Sequence, residues 1–215
     1  MYRFGVELPT HLAEVDDRHR LQDFLIATCI PDSILNEQLK KPDVSRQRLF
    51  RRYCWSDPVN GKIVLSLLCS KAEAEEAQEK MKRNRIRFKE IGINVEKVVQ
   101  EDTVFLTLSP IYVKNGQGKS PYPPRYQKEF ERILLKNLMG KAKQFGLEVD
   151  QKELKFEMVI SPFIAKRKYG NLELSGLKCG FRLQGLDPSL RLLAYGIGLG
   201  GRNAQGFGLI GVLSF

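Results

Sequence analysis

The chain has 215 residues, enough for one large domain or two smaller ones. Hydrophobic residues make up 42% of it and include 12 Phe and 7 Tyr, so a sizeable core can form and intrinsic disorder is not expected. The 35 Lys and Arg residues outnumber the 25 Asp and Glu residues and give a formal net charge of +10. Such a charge predicts a polyanionic partner, either a nucleic acid or an anionic membrane surface.

The sequence favours the nucleic acid over the membrane. No apolar run approaches the roughly 18 residues of a membrane-spanning helix, and the first residues, MYRFGVELP, lack the apolar region of a signal peptide. We therefore expect no membrane partner and a cytoplasmic location. The cysteines are scattered without a C-x-x-C pair or nearby histidines, so we interpret them as small buried hydrophobes in a reducing compartment: Cys29, Cys54, Cys69 and Cys179.

In chain order, the first elements form one supersecondary unit. A strand at YRFGVEL precedes a helix that Asp16 or Asp17 can cap, with Leu21, Leu25 and Cys29 at helical spacing. Strands at 46–55 and 62–68, joined by turn signals in SDPVNG, are followed by a helix at 70–83 and a fourth strand at 93–99. This β-α-β-β-α-β order is that of a ferredoxin-like domain.

The same order then repeats. A strand is predicted at 103–113, an amphipathic helix at 125–145, and two strands in ELKFEMVI and LELSGLKCGFRLQG, the second with a bulge at Gly176. A helix at 187–196, capped by Asp187, leads through a glycine-rich stretch to the last strand. The sequence thus predicts an α+β fold of tandem ferredoxin-like, RRM-like domains. The N-terminal domain spans 1–100, and the C-terminal domain, with a glycine-rich loop, spans 101–215.

Glycines crowd the stretch GIGLGGRNAQGFGLIGVL (196–213) at Gly198, Gly200, Gly201, Gly206 and Gly208. They follow a helix instead of linking a first strand to a first helix, which argues against a dinucleotide site. An RRM signature in QGFGLIGV is faint, because no aromatic residue follows Phe207 before Phe215. Two uses remain: a sharp turn from helix into strand, or a loop whose backbone approaches a phosphodiester while Arg202 adds charge. The number of glycines favours the second use.

The same stretch resembles the C-terminal glycine-rich signature of the RAMP proteins of CRISPR systems, most of all their pre-crRNA processing endoribonucleases. TLSPIYVKN with KNLMGKAKQFG, and the block SGLKCGFRLQGLDPSLRLLAYGIGLGGRNAQGFG, resemble further segments of that family, so the likeness covers roughly residues 100–215 well. It implies two RAMP-type ferredoxin-like domains that bind CRISPR repeat RNA. It also implies metal-independent cleavage in which a 2′-hydroxyl attacks its own phosphodiester and leaves a 2′,3′-cyclic phosphate, with no cofactor.

The resemblance further implies a general base, commonly a histidine on the first helix or in the loop after it. The loop PDSILNEQLKKPDVS has no histidine, and Asn36 stands about where a Leu-His pair is expected. This departure favours the alternative of a non-catalytic RAMP subunit that holds crRNA in an effector complex with other Cas proteins.

The candidate base is His19, in the first turn of the first helix, where a solvated histidine is the alternative interpretation; His11, which follows the first strand, is less favoured as a base. The helix dipole favours a neutral His19, while the neighbouring Asp16 and Asp17 favour its charged form. A histidine-free site is the other candidate: Lys40 and Lys41, with Tyr53 beside them, would stabilise the phosphorane and donate a proton.

Basic residues predict the RNA-binding face. Alternation along RQRLFRR puts Arg46, Arg48 and Arg52 on one strand face and Arg51 on the other. Further cations flank the proline-rich loop before the long helix and occupy the hairpin tip AKRKYGN. The predicted RNA-binding residues are Arg46, Arg48, Arg51, Arg52, Lys119, Arg125, Lys166, Arg167, Lys168, Gly200, Gly201, Arg202 and Asn203. The acidic clusters are interpreted as a helix cap and a solvated helix face, so no metal site is predicted, and homodimerisation stays open.

Overall fold

Two four-stranded antiparallel sheets, each packed against helices, form the protein, whose computed structural model describes residues 1–13, 17–39 and 51–213. The first sheet has the strand order β2-β3-β1-β4. Its strands are β1 (Tyr2–Glu7), β2 (Tyr53–Trp55), β3 (Lys62–Leu67) and β4 (Phe88–Glu90). This order is the one that a β-α-β-β-α-β chain adopts in a ferredoxin-like domain.

The helices of the first unit begin where polar caps are available. Between β1 and β2 the chain forms α1 (Thr10–Ala13), α2 (Arg18–Thr28) and α3 (Asp32–Leu39), and α4 (Lys71–Arg83) joins β3 to β4. The Asp17 carboxylate accepts a hydrogen bond from the His19 N–H at 2.9 Å and so caps α2, as predicted. Ser70 and Glu73 form a reciprocal capping box at the start of α4.

The second unit repeats this arrangement. After α5 (Val95–Val99), the sheet order is β6-β7-β5-β8, with β5 (Phe105–Thr107), β6 (Lys155–Tyr169), β7 (Leu172–Gln184) and β8 (Ile210–Val212). The connecting helices are α6 (Gln127–Gln144) and α7 (Pro188–Ile197), and Asp187 caps α7. Each unit has its own buried apolar cluster, one around Phe4 and Leu65 and one around Phe130 and Phe181. The predicted α+β fold of two ferredoxin-like units is confirmed.

Two of the predicted strands differ in the structure. Residues 93–99 were expected to be the fourth strand, but the fourth strand is Phe88–Glu90 and the later segment is α5. The Asn94 side chain accepts a hydrogen bond from the Lys97 N–H at 3.0 Å, so an N-cap starts a helical turn that buries Val98. In the strand predicted for 46–55, only Tyr53–Trp55 is observed as β2; Arg51 and Arg52 precede it, and residues 46–50 lie outside the described residues.

Two further differences lie around Pro110 and Gly176. The strand predicted for 103–113 is regular only over β5, because the N–H groups of Leu108 and Ser109 both donate to the Leu209 carbonyl, and pairing resumes after Pro110, at Ile111 opposite Leu177. The bulge predicted at Gly176 is wrong, because pairing with β6 is continuous there and the register shifts lie in β6, between Met158 and Phe163. A Cβ on Gly176 would come within 2.6 Å of the Pro110 Cβ, so close packing explains this glycine.

The cysteines and the helices add two smaller observations. All four cysteines are free; Cys29, Cys54 and Cys179 are buried, and Cys69 is half-buried. Among the helices of the described ranges, none has the length and apolar character needed to cross a membrane.

The two units are joined by hydrogen bonds from N-terminal side chains to C-terminal carbonyl groups. The buried guanidinium of Arg3 donates to the carbonyl oxygens of Tyr195 and, at 2.8 Å, of Ile210. The Ser66 hydroxyl donates to the Gly196 carbonyl at 2.6 Å. Buried carbonyl groups need such donors, so these bonds hold α7 and β8 against the first sheet.

The buried carboxylate of Asp57 forms ion pairs with cations of both units. Asp57, 6% exposed, forms an ion pair with Arg18, which is 1% exposed. It also pairs with Arg167 of β6 at 2.8 Å and with Lys178 of β7 at 2.9 Å. Burial, with the nearby Arg167 and Arg18 charges, lowers the pKa of Lys178. Asp57 therefore links α2 to the β6–β7 hairpin.

The glycine-rich loop (198–208) lies in the interface between the units, where buried side chains donate hydrogen bonds to its carbonyl groups. The Arg18 guanidinium donates to the Gly206 carbonyl at 2.6 Å, and the Trp55 indole N–H donates to the Ala204 carbonyl at 3.1 Å. Asn203, itself buried, donates its amide to loop carbonyls on either side of it. The loop is therefore a fixed part of the interface.

Packing within the protein explains the two glycines of this loop that are most tightly enclosed. Gly206 and Gly208 both have φ +77°, which a side chain rarely tolerates. A Cβ on Gly206 would come within 2.7 Å of the Trp55 ring, and one on Gly208 would collide with the Leu199 carbonyl oxygen. The sequence favoured an approach of RNA as the reason for these glycines, whereas here the approaching atoms belong to the protein.

We expect the Asp57→Ala substitution to destabilise the protein by about 3 kcal/mol, because it leaves buried cations without their carboxylate. Urea unfolding measures this loss. Asp150→Ala is the matched control, since Asp150 is exposed and lies 4.0 Å from Lys152; it should change stability by less than about 0.5 kcal/mol. Equal effects of the two substitutions would contradict a structural role of Asp57.

The Gly208→Ala substitution should cost far more than Gly118→Ala. Both glycines have φ +77°, but a Cβ on Gly118 meets nothing within 4 Å. The shared backbone strain costs about 1 kcal/mol, and the collision at position 208 should add at least about 2 kcal/mol. Urea unfolding of the two variants isolates the collision, and similar stabilities would show that the loop is not enclosed as described.

Candidate nucleic-acid interface

His19 lies in the first turn of α2, where Asp17 has capped the helix. Its side chain is 54% exposed, and its Nδ1 lies 3.2 Å from a carboxylate oxygen of Asp23, one turn further along. With Asp23 on Nδ1, Nε2 is the nitrogen left to accept a proton from a ligand. The His19 ring also meets the edge of the Tyr169 ring, with centroids 5.3 Å apart and planes at 80°.

Tyr169 ends β6 and lies at the centre of this exposed site. Its hydroxyl hydrogen bonds to the Gln22 side-chain oxygen, and the Gln22 amide lies 3.5 Å from the Tyr53 hydroxyl. Gln205 and the positive charge of Arg202, both in the glycine-rich loop, lie close enough to act on the Tyr169 hydroxyl. Burial raises the pKa of the Tyr169 hydroxyl, so it keeps its proton at neutral pH.

Tyr53, predicted as a catalytic residue, is 2% exposed. Burial also raises the pKa of its hydroxyl. Tyr53 therefore contacts the exposed site through Gln22, and its position suits orienting that amide.

Arg202 is the exposed cation of the glycine-rich loop. It has the left-handed φ of +57°, and its guanidinium donates to the Gln205 side-chain oxygen at 2.6 Å. The guanidinium carbon lies 5.2 Å from the centroid of the Tyr112 ring. Because Gln205 and Arg202 both act on the Tyr169 hydroxyl, the loop holds Arg202 near the His19–Tyr169 pair. We call the group formed by His19, Gln22, Asp23, Tyr169, Arg202 and Gln205 the His19 site.

The other loop residues predicted to bind RNA differ in accessibility. Gly200 is buried, and a Cβ there would collide with the Tyr112 carbonyl oxygen. Asn203 is 7% exposed, with its amide committed to the loop. Gly201 is half-buried, and its N–H donates to the Tyr112 carbonyl at 2.9 Å. Arg202 is therefore the member of this set that faces solvent.

The β6–β7 hairpin carries three cations that were predicted to bind RNA, and they differ in exposure and in ion pairing. Lys168 is exposed and pairs with Asp17 through a backbone bridge, which places the hairpin tip against the start of α2. Lys166 is exposed and pairs with Glu173 at 2.8 Å. Arg167 is half-buried and committed to Asp57.

The remaining predicted residues are placed elsewhere or not described. Arg52 donates two hydrogen bonds to the Glu73 carboxylate, at 2.9 and 2.7 Å, while Arg51 is exposed. Lys119 and Arg125 are exposed in the segment before α6. Lys40, Lys41, Arg46 and Arg48 lie outside the described residues. Within the described ranges, no group of three or more His, Cys, Asp or Glu side chains is arranged to hold a metal ion.

Sequence reasoning missed Tyr169, Gln22 and Gln205. Tyr169 lies in AKRKYGN, a segment chosen for its cations, and its role depends on the hairpin reaching α2, a long-range contact that spacing does not encode. Gln22 lies one turn after Arg18 on α2, so helical spacing does place it beside the candidate base.

Comparisons with known proteins agree with this architecture. A model of the family described as CRISPR associated protein Cas6, C-terminal, matches residues 93–212. No protein with a curated description matches the chain. Among solved structures, the chain is similar to one titled as a characterisation of a Cas6-related gene from Pyrococcus furiosus (TM-score 0.70, 16% identity, 99% of this chain and 98% of that chain).

Two further solved structures are similar over their full lengths. One is titled as a RAMP protein binding different RNA substrates (TM-score 0.67, 16% identity, 100% of both chains), and the other as the CRISPR RNA processing endoribonuclease Cas6b (TM-score 0.60, 13% identity, 99% of this chain and 98% of that chain). At these identities the likeness establishes a shared fold. Because the family model spans more than half of the residues, from Ile93 to Val212, the chain belongs to the Cas6 family of CRISPR-associated proteins.

Proposed function

We propose that this chain binds CRISPR repeat RNA and cuts it without a metal ion, by attack of a 2′-hydroxyl on the adjacent phosphodiester. The observation that carries the proposal is that His19 of the first unit contacts Tyr169 of the second, and that Arg202 lies close enough to act on the Tyr169 hydroxyl. Membership of the Cas6 family, and the likeness to a structure titled as a CRISPR RNA processing endoribonuclease, support the same class of reaction.

The reaction makes three demands on the protein. A base takes the proton of the 2′-hydroxyl as its oxygen bonds to phosphorus, the phosphorane needs positive charge, and the departing 5′ oxygen needs a proton. The products are a 2′,3′-cyclic phosphate and a 5′-hydroxyl. The three groups must be held in line with the scissile bond, which a rigid site achieves better than a mobile one.

The residues of the His19 site match these demands. His19 is the proposed base, oriented through Nδ1 by Asp23 so that Nε2 meets the 2′-hydroxyl. Tyr169, which retains its proton at neutral pH, is the proposed donor to the 5′ oxygen. Arg202 supplies charge to the phosphorane, and its bond to Gln205 limits the conformational entropy that it loses on binding.

The exposed cations around this site extend the proposed RNA face. Lys168 and Lys166 on the hairpin would contact phosphates on one side of the scissile bond. Lys40 and Lys41 stay candidates for charge on the phosphorane. Tyr53 is assigned an orienting role through Gln22, because its hydroxyl is buried.

The direct test is incubation of the purified protein with end-labelled repeat RNA in EDTA, using a series of RNAs with single 2′-deoxy positions. The expected result is one cut that survives EDTA and disappears with one deoxy position, together with a cyclic phosphate on the upstream product. Binding without a cut would instead assign the chain to the non-catalytic, crRNA-holding class. Absence of binding would overturn the proposal.

Replacing His19 by Ala should slow cleavage by about 10²-fold or more, since a proton-transfer group is lost. His11→Ala is the matched control, because His11 is the other histidine of the chain and is exposed on α1. Single-turnover rates with excess enzyme measure both variants. A His19→Ala rate equal to that of the unsubstituted protein would remove His19 from the mechanism.

Replacing Arg202 by Ala should weaken RNA binding and reduce the slope of log affinity against log salt by about one. The reason is that Arg202 faces solvent beside the His19 site, where it can pair with one phosphate. Arg132→Ala removes an exposed arginine from α6 and serves as the control. Binding isotherms at several salt concentrations decide the outcome, and parallel lines for the two variants would contradict the proposed contact.

A further inference from the structure

Lys141 occupies a position in α6 where an apolar side chain is expected. It follows Leu138 by three residues and precedes Phe145 by four, so helical spacing puts it on the buried stripe of this helix. The residue is 0% exposed. A lysine in such a position requires a specific hydrogen-bonding partner, because an ammonium group loses its hydration there.

That partner is the start of the glycine-rich loop. The Lys141 ammonium donates a hydrogen bond to the carbonyl oxygen of Gly198, the C-cap residue of α7. Carbonyl groups at a helix C-terminus lack intrahelical donors and carry the negative end of the helix dipole. A buried ammonium at this point therefore satisfies the carbonyl and is itself stabilised by the dipole.

An ionisable group of the first unit lies near this ammonium. The Cys54 thiol of β2 acts on Lys141 directly. Arg3 and Arg18 in turn act on Cys54, and Tyr195 of α7 packs against the Arg3 guanidinium at 3.5 Å. Burial lowers the pKa of Lys141 to about 7, and Cys54 acts in the opposite direction. Both charge states of Lys141 are therefore populated near neutral pH.

The Gly198 carbonyl is mechanically connected to Arg202 through the interior of the loop. The N–H of the next residue, Leu199, donates to the Gly208 carbonyl at 2.8 Å, and its carbonyl accepts from the Asn203 amide at 3.1 Å. Asn203 follows Arg202 directly and also holds the Phe207 carbonyl at 2.9 Å. A change at Gly198 therefore alters the backbone that orients Arg202.

We propose that Lys141 is a positioning residue whose protonated amine holds the Gly198 carbonyl, and with it Arg202, in the conformation that contacts RNA. This inference rests on the proposed RNA-binding function. Loss of the proton as pH rises leaves a neutral amine with fewer donors at the helix end, so the loop is held less firmly and RNA binding weakens.

Loss of the Lys141 proton as pH rises affects folding stability in the opposite direction from RNA binding. The unfolded chain keeps the Lys141 proton up to the ordinary value of 10.5, whereas the native state releases it near 7. Between these pH values the unfolded state binds more protons, so the contribution of Lys141 to stability rises with pH. As pH rises, RNA affinity should therefore fall while the contribution of Lys141 to folding stability increases. General loosening of the fold would instead lower both.

The first measurement needs no RNA. Trp55 is the only tryptophan of the chain, and its indole N–H donates to Ala204 in the loop, so its fluorescence reports the loop directly. We expect a pH transition with a midpoint near 7 in the unsubstituted protein and in Lys143→Met, which removes an exposed lysine two positions away on the same helix. His19→Gln should retain the transition, and Lys141→Met should lose it.

The second measurement is the affinity for repeat RNA made uncleavable by a 2′-deoxy substitution. Between pH 6 and pH 8.5 the unsubstituted protein and Lys143→Met should lose about tenfold in affinity, the scale of one charged hydrogen bond. Lys141→Met should bind about tenfold more weakly at pH 6 and show no pH dependence.

The outcomes separate this inference from the proposed function. A transition that persists in Lys141→Met, or equal pH dependence of its RNA affinity, would overturn the positioning role. A Lys141-dependent fluorescence transition without RNA binding at any pH would overturn the proposed function and leave the control of the loop standing. If Lys141→Met does not fold, the Lys141 side chain can be titrated by NMR in lysine-labelled, unsubstituted protein. A titration midpoint near 10.5 would then refute the inference.

Discussion

The buried ion pair between Arg18 and Asp57, to which Arg167 and Lys178 of the second unit also bind, is the interaction on which the contact of α2 with the β6–β7 hairpin depends. Arg18 is the first residue of α2, and its guanidinium also donates to Gly206 and lies 4.8 Å from the centroid of the Trp55 ring. Breaking a buried pair leaves an uncompensated charge in a region of low dielectric constant, which is strongly unfavourable. The pair therefore couples the positions of α2, of the hairpin and of the glycine-rich loop to one another.

This arrangement explains how a histidine of one unit and an arginine of the other both come to lie near Tyr169. His19 directly follows Arg18, so the residue that anchors α2 in the interface also determines where the imidazole emerges at the surface. Tyr169 reaches the same place because β6 and β7 extend as a long hairpin, whose Arg167 and Lys178 bind Asp57. The buried charges position the site, and the exposed ones are available to a ligand.

Local patterns predicted the fold well, since helix caps and hydrophobic periods are properties of neighbouring residues. Asp17 and Asp187, which were predicted as candidate caps, start α2 and α7. The errors had two sources: Asn94 caps a helical turn in a segment that alternates like a strand, where two local signals compete, and Gly176 makes room for Pro110, which is distant in the chain. Neither outcome can be read from spacing alone, because each depends on residues distant in the chain or on competing local signals.

The candidate site was only partly predictable for a related reason. His19 was identified by residue type, but an arginine such as Arg167 has the same sequence signature whether it meets a phosphate or a buried carboxylate. Several cations that contribute to the net charge of +10 lie inside the protein, among them Arg3, Arg18, Lys141 and Arg191. Net charge indicated the class of partner, and burial then distinguishes the cations that can reach it.

Because Gly206 and Gly208 are enclosed by protein atoms, the glycine motif indicates the fold and does not by itself indicate activity. Because protein atoms fill the space around these two glycines, a chain that had lost its capacity to cut RNA would need them as much as one that retains it. The motif therefore marks the scaffold. Under the proposed mechanism, the residues to compare among such chains are the solvent-facing ones: a histidine after the anchoring arginine, an aromatic hydroxyl at the hairpin end and a cation between the glycines.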